Sequence, residues 1–198
     1  MKKQGVIYIH GQNGSPQEAA HYAPLFPACD VVGLPYRAAA PWEAAAEFRP
    51  FFDAFRAAHS QIILIANSIG AYFAMHALSG RRVERAYFIS PIVDMERLIA
   101  SMMCENGVTE ARLRAEGTIR TPGGAVLSWE YLSWVRAHPP EWRAPTSILY
   151  GERDTLQSEE TVRAFAARIG AGVTVMAGGE HYFHTPEQMA FLDGWILR

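Results

Sequence analysis

The sequence has little of anything that would mark a stapled, metal-bound or membrane-embedded chain. Two cysteines in 198 residues, Cys29 and Cys104, are too few for a disulfide framework and lack the paired spacing of a zinc site. One pairing between them is formally open. A reduced pair is the more economical reading, and it points to the cytoplasm. Cys29 opens an apolar run and reads as a buried thiol, and Cys104 follows Met102-Met103 as a residue that could line a pocket. No apolar stretch approaches the roughly 20 residues needed to span a bilayer. Lys2-Lys3 is followed by a short apolar run that ends at His10-Gly11, too short and too abruptly polar for a signal peptide. The formal net charge is only −2, so nothing electrostatic argues for nucleic acid or an anionic membrane. His21, His59 and His138 are scattered, with no carboxylate spacing that suggests a metal; neither a metal nor a cofactor is expected. There is no internal repeat, and no low-complexity segment beyond an alanine-rich stretch near residue 45.

What remains is an ordinary globular composition, 49% hydrophobic and 19% charged, of a length that suits one α/β domain. Gly5–His10 reads as a buried β-branched strand, and Gly11 to Pro16 as loop. Residues 17–25 read as a short helix, and Cys29 to Leu34 as a second strand. Pro41 suits the first turn of a helix whose Phe48, Phe51, Phe52 and Phe55 make one apolar face. Pro50 lies inside that pattern and predicts a kink or two short helices. Strands follow at 61–66 and 86–89, with a helix between them that Gly80 can terminate.

From about 95 to 143 the alternation stops. Two helical pieces, at 95–103 and 109–116, precede residues 118–127, where Pro122-Gly123-Gly124 could close a hairpin. Ser128 then caps a helix carrying Trp129, Leu132 and Trp134. This stretch is too long for a connection and too structured for a linker, and an inserted helical cap explains it. Alternation resumes with a strand at 146–150, a helix at 158–169, a strand at 172–176 and a helix at 186–197. The pattern implies a three-layer α/β/α sandwich around a mainly parallel sheet of about six strands.

The organising feature is Ala66-Asn67-Ser68-Ile69-Gly70, a serine at the joint of an apolar strand and a helix of small residues. That is the nucleophile-elbow pattern, with small residues two before and two after the serine. A serine hydroxyl needs a neighbouring base. His181, in Gly178-Gly179-Glu180-His181, follows one strand; Asp154, in Gly151-Glu152-Arg153-Asp154, follows another and would orient that histidine. All three lie after strands, where open α/β sheets gather functional groups, and their chain order is Ser, Asp, His. Backbone N–H groups of Ile69 and of Gln12, on the loop after the first strand, would form an oxyanion hole. Rivals stand beside these: Asp94 and Glu152 for the acid, His184 for the base. A helix-capping serine is the bland alternative at Ser68. His10 reads as a structural residue of its loop and His76 as a satisfied helix histidine.

These motifs resemble the α/β-hydrolase superfamily, and within it small bacterial serine esterases and acyl hydrolases. The resemblance runs from about Val6 onward through His10-Gly11, the elbow, and the acid and histidine motifs. It departs in having Ala66 where a glycine is usual, and in placing the His-Gly strand first, without two earlier strands. It implies a cofactor-independent serine hydrolase acting on a small-molecule ester or thioester, with the 95–143 insertion as lid. Met102, Met103, Trp129 and Trp134 are its candidate substrate-binding residues, although they equally suit a small core of the insertion itself. Amide, peptide or C–C bond hydrolysis on the same triad, or a low-turnover receptor, are the competing readings. Nothing in the sequence bears on oligomeric state.

Overall fold

The computed structural model, which describes residues 2–198, divides into two compact units. Unit 1 comprises the chain up to Val93 together with Glu141–Arg198, and unit 2 is the insertion Asp94–Pro140.

Unit 1 holds a six-stranded sheet. Its strands are β1 (Gln4–Ile9), β2 (Cys29–Gly33), β3 (Ile62–Asn67), β4 (Arg85–Ile89), β7 (Thr146–Gly151) and β8 (Gly172–Met176). They lie in the order β2-β1-β3-β4-β7-β8, and every pairing is parallel. Strands covered on both faces read as continuous Val/Ile/Leu runs rather than alternating ones, which is how β1 and β3 are written. The order reverses at β1, which pairs β2 on one side and β3 on the other. Such a switch point opens a crevice at the carboxyl ends of the strands, and β1 and β3 are the strands that lead into the His-Gly loop and the elbow.

Helices cover both faces. Tyr8, Ile65, Tyr87, Ile89 and Leu149 pack against Tyr22 of α1 (Ala19–Tyr22) and against Leu192, Trp195 and Ile196 of α8 (Pro186–Ile196). The alternate strand positions Ile7, Ile9, Leu64 and Phe88 are fully buried as well and point to the other face. There α2 (Pro41–Ala58) and α3 (Ile69–Ala77) lie side by side. Helix α7 (Glu159–Ile169), capped by Ser158, joins β7 to β8.

Three sequence expectations need correction in this unit. Residues 17–25 form not one helix but α1 flanked by two 3-10 turns, Pro16–Glu18 and Ala23–Leu25. Pro50 does not divide α2, which is a single helix of 18 residues. The hydrogen bond that a proline forfeits is offset by full burial of Phe48 and Phe52 on either side of it, each contributing about 1.5–3 kcal/mol. Trp142 belongs to unit 1, not to the insertion: its ring lies 5.4 Å from that of Phe88 and its Nε1 donates to Thr146 Oγ1.

Unit 2 has its own small core. Helices α4 (Met95–Glu105), α5 (Glu110–Glu116) and α6 (Trp129–Ala137) are capped by the side chains of Asp94, Thr109 and Ser128. The antiparallel pair β5 (Thr118–Arg120) and β6 (Val126–Ser128) forms the hairpin around Pro122-Gly123-Gly124. Ile99, Met103, Leu113, Leu127 and Leu132 are buried, and Arg136 bridges Glu96 and Glu110 across α4, α5 and α6.

Candidate active site

Ser68 sits between β3 and α3 with φ 51° and ψ −122°. A non-glycine residue pays roughly 1–3 kcal/mol to occupy such a region and does so only when its surroundings over-determine it. Here they do. The Ser68 N–H donates to the Ile89 carbonyl at 2.9 Å, and the Ser68 carbonyl accepts from Ile92 N–H at 3.2 Å, so the end of β4 brackets the elbow. Ser90, beside it, is fully buried and also has positive φ (42°). On the other side Gly70 faces the end of β1: a Cβ there would run into the His10 carbonyl oxygen and lie 2.9 Å from that of Ile9. Glycine is required by this approach of helix to strand. Ala66 is buried within β3, and its methyl is accommodated, so the first glycine of the usual elbow is dispensable.

The serine has a partner. Ser68 Oγ lies 2.8 Å from His181 Nε2, and His181 Nδ1 lies 2.7 Å from Asp154 Oδ2. The Asp154 side chain is wholly shielded from solvent. Its other oxygen accepts from the N–H groups of Leu156 (2.8 Å) and Gln157 (3.2 Å), which sets the carboxylate plane. The loops carrying Asp154 and His181 are joined to one another: Glu152 N–H donates to Met176 O, Arg153 N–H to Gly179 O, and Gly178 N–H to the Glu152 carboxylate. Gly151 permits this junction, since a Cβ on it would fall 2.7 Å from the Gly179 carbonyl.

Gln12 is exposed, in a turn closed by the bond from Gly14 N–H to Gly11 O at 3.1 Å. Ile69 is the first residue of α3, so its N–H has no carbonyl one turn earlier in the helix. The loop that carries Gln12 is tied to β1 by side chains that sequence reasoning missed. Glu18 accepts from Ser15 N–H at 2.9 Å and from the Tyr8 hydroxyl, and Asn67 lies beside them. Burial, then the neighbouring Tyr22 and Glu18, push the Tyr8 hydroxyl far above its ordinary value, so it stays protonated. The signal was legible in Ser15-Pro16-Gln17-Glu18, a capping box, which the structure contains.

The other candidates are placed elsewhere. Asp94 caps α4, accepting from Arg97 N–H at 2.9 Å. His184 is exposed and stacked on Tyr182. Glu152 is exposed, its carboxylate accepting from Gly178 N–H. His10 is buried, stacked on Tyr36 at 4.2 Å, with Nδ1 at 2.8 Å from Gly11 O, the structural role expected of it. His76 packs edge-on against Tyr72. His21 and His59 each meet one carboxylate, Asp193 and Asp30, and among the described residues no three ligating side chains group as a metal site would need. In unit 2, Met103 is buried, Trp129 lies under Arg114, and Trp134 stacks on His138. Met102 is half-buried, with its carbonyl taken by the Asn106 side chain. Both cysteines are free, and Cys29 is half-buried rather than buried.

No protein-family model matches the sequence, and neither does any curated protein. Solved structures do match. Alpha/beta hydrolase domain-containing protein 10 from mouse aligns with a TM-score of 0.77 at 16% identity, over 99% of this chain and 90% of that one. Est1E from Butyrivibrio proteoclasticus gives 0.77 at 14%, over 99% and 86%. An alpha-beta serine hydrolase homologue from Coxiella burnetii gives 0.63 at 15%, over 99% and 84%. At such identities the likeness establishes the fold. The chain has the α/β-hydrolase fold.

Proposed function

We propose that this protein is a serine hydrolase that cleaves a carboxylic ester or thioester through an acyl-enzyme. The observation that carries the reading is the continuous chain from Ser68 Oγ through the His181 imidazole to the buried Asp154 carboxylate. His181 Nε2 takes the Ser68 proton as Oγ attacks the carbonyl carbon, and returns it to the leaving oxygen or sulfur. Asp154 holds the Nδ1–H tautomer and stabilises the imidazolium as it forms. Water then repeats the sequence on the acyl-enzyme. The negative charge on the carbonyl oxygen is assigned to the backbone N–H groups of Gln12 and Ile69, each worth about 10²–10³ in turnover where such donors have been removed. No added cofactor is needed for these steps. The serine hydrolase homologue among the structural neighbours supports the reading, and the free, exposed Cys104 suits a reducing cytoplasm.

A fluorophosphonate probe tests the centre of this proposal. Wild type should label at Ser68, and Ser68→Ala should not. Label on the variant, or none on wild type, would overturn it. Turnover of p-nitrophenyl esters separates an enzyme from a receptor that merely keeps the triad. The same reading assigns substrate contacts to Met102, Met103, Trp129 and Trp134 of the insertion. Trp129→Ala and Trp134→Ala should then raise KM while probe labelling persists.

A further inference from the structure

One cavity in unit 1, of about 280 Å³, is not used by the proton relay. It is lined from both sides of the reactive centre, by Asn67, which precedes Ser68, and by Tyr182, Phe183 and His184, which follow His181. A dry cavity on the order of 150 Å³ accepts a benzene ring, so this one has room for a substituted ring. Its chemistry is divided. Ile89, Met189 and Leu192 supply apolar wall. Tyr182 is 63% exposed, an unusual cost for a large ring, and lies parallel to His184 with centroids 5.3 Å apart and planes 6° apart. Tyr8, Glu18 and Asn67 supply a polar patch, in which the tyrosine hydroxyl and the carboxylate are already bonded to one another.

No lysine or arginine lines the cavity. Its two lining histidines are engaged outside it, His21 by Asp193 at 2.7 Å and His184 by Glu180 at 3.6 Å. An anionic group entering would meet the Glu18 carboxylate, with both histidines of the lining already facing carboxylates of their own, whereas a neutral donor would find an acceptor. Each carboxylate oxygen has two lone-pair sites, and Glu18 spends one per oxygen on Ser15 N–H and the Tyr8 hydroxyl.

We propose that this cavity is a substrate subsite that receives a neutral aromatic group bearing a hydrogen-bond donor, of the phenol class, with Glu18 as the acceptor and Tyr182 as the stacking wall. The proposal rests on the hydrolase reading of Ser68 and names the substrate class of that site. The aromatic group belongs either to the leaving alcohol or to the acyl portion, and the two are separated by experiment.

The experiment compares 4-hydroxyphenyl, 4-methoxyphenyl and 4-carboxyphenyl acetates, with kcat/KM corrected for intrinsic alkaline reactivity. A parallel set carries the same substituents on the acyl side, as methyl arylpropionates. Wild type should favour hydroxyl over methoxy by about tenfold or more on one side, the factor expected for one hydrogen bond to a charged acceptor, and should disfavour the carboxylate. Glu18→Gln should shrink both ratios. Tyr182→Ala, at an exposed position with little bearing on folding, should raise KM for aryl esters more than for ethyl acetate. Fluorophosphonate labelling of Ser68 with no hydroxyl preference on either side overturns the subsite and leaves the hydrolase reading standing. Without labelling the hydrolase reading fails, and binding then decides the subsite. Hydroquinone, but not benzoate, should shift the ring resonances of Tyr182 and His184, less so in Glu18→Gln; no shift overturns it.

Discussion

Gly70 approaches the carbonyl of His10 so closely that α3 has no room for a side chain at its second residue. That contact fixes the spacing between the helix that begins at Ile69 and the loop that carries Gln12. If those two residues supply the oxyanion donors, their separation is set by a hydrogen atom at Gly70.

Gly70→Ala should therefore cost stability and activity together. Overpacking against backbone, which cannot rotate away, destabilises by about 1–3 kcal/mol or more, and the forced shift should lower kcat by at least tenfold. Ala66→Gly, at the other small position, should leave catalysis within a few-fold. Thermal unfolding and ester turnover on both variants check the contrast; equal damage from the two would refute it.

Asp154→Asn should lower kcat by about 10⁴, the size of effect seen when a triad acid loses its charge. The Asn carbonyl would turn to the Leu156 and Gln157 N–H groups that now bind Oδ1. Its NH₂ would then face His181 Nδ1 and force the proton onto Nε2, where it cannot accept from Ser68. Asp94→Ala should cost about 1 kcal/mol as a lost helix cap and little turnover. Loss of activity in the Asp94 variant alone would reverse the assignment.

The buried tyrosines predict cooperative alkaline unfolding. Burial, as the first cause, raises Tyr8, Tyr22 and Tyr36 above their ordinary value of 10.0. A raised folded value means that the stabilisation is complete below pH 10 and is lost as pH climbs beyond it. Absorbance at 295 nm should show these hydroxyls ionising only with unfolding, in step with circular dichroism. A smooth, early titration of all eight tyrosines without unfolding would contradict this.

Glu84 should matter at the acid end. Burial raises its carboxyl, but bonds from Arg56 and from Ile62 N–H, both at 2.7 Å, outweigh that and lower it below 4.5. Its stabilisation is thus full above 4.5 and fades as pH falls through the lowered value. Its own N–H donates to the Ile62 carbonyl, so it latches the start of β3. Glu84→Gln should lose about 1.5–3 kcal/mol at neutral pH, the range for bonds to a charged group, and less in acid. Urea unfolding at both pH values measures the difference.

The local pattern of the chain carried most of the architecture. The β-branched runs at 62–65 and 173–176 read directly as strands, and the hairpin at Pro122-Gly123-Gly124 and the caps at Ser128 and Ser158 follow from short-range chemistry. Ser68, Asp154 and His181 were also legible, because each follows a strand and strand ends share an edge of a parallel sheet. What local pattern could not weigh was competition between distant terms. Pro50 stays within α2 because Phe48 and Phe52 find a core, and Trp142 leaves the insertion because Phe88 receives it.

By itself, then, the sequence determined a parallel α/β sheet and a serine at a strand–helix joint, and offered two aspartates and two histidines as its candidate partners. Only the tertiary structure decided that His181 rather than His184 meets Ser68, and that Asp154 rather than Asp94 meets His181. It alone revealed that Glu18 and Tyr8 join beside Asn67, the residue before Ser68. Those outcomes depend on distances between residues far apart in the chain, which no local periodicity encodes. The elbow's second glycine is required and its first is not for the same reason: the neighbour that excludes a side chain at Gly70 is the end of another strand.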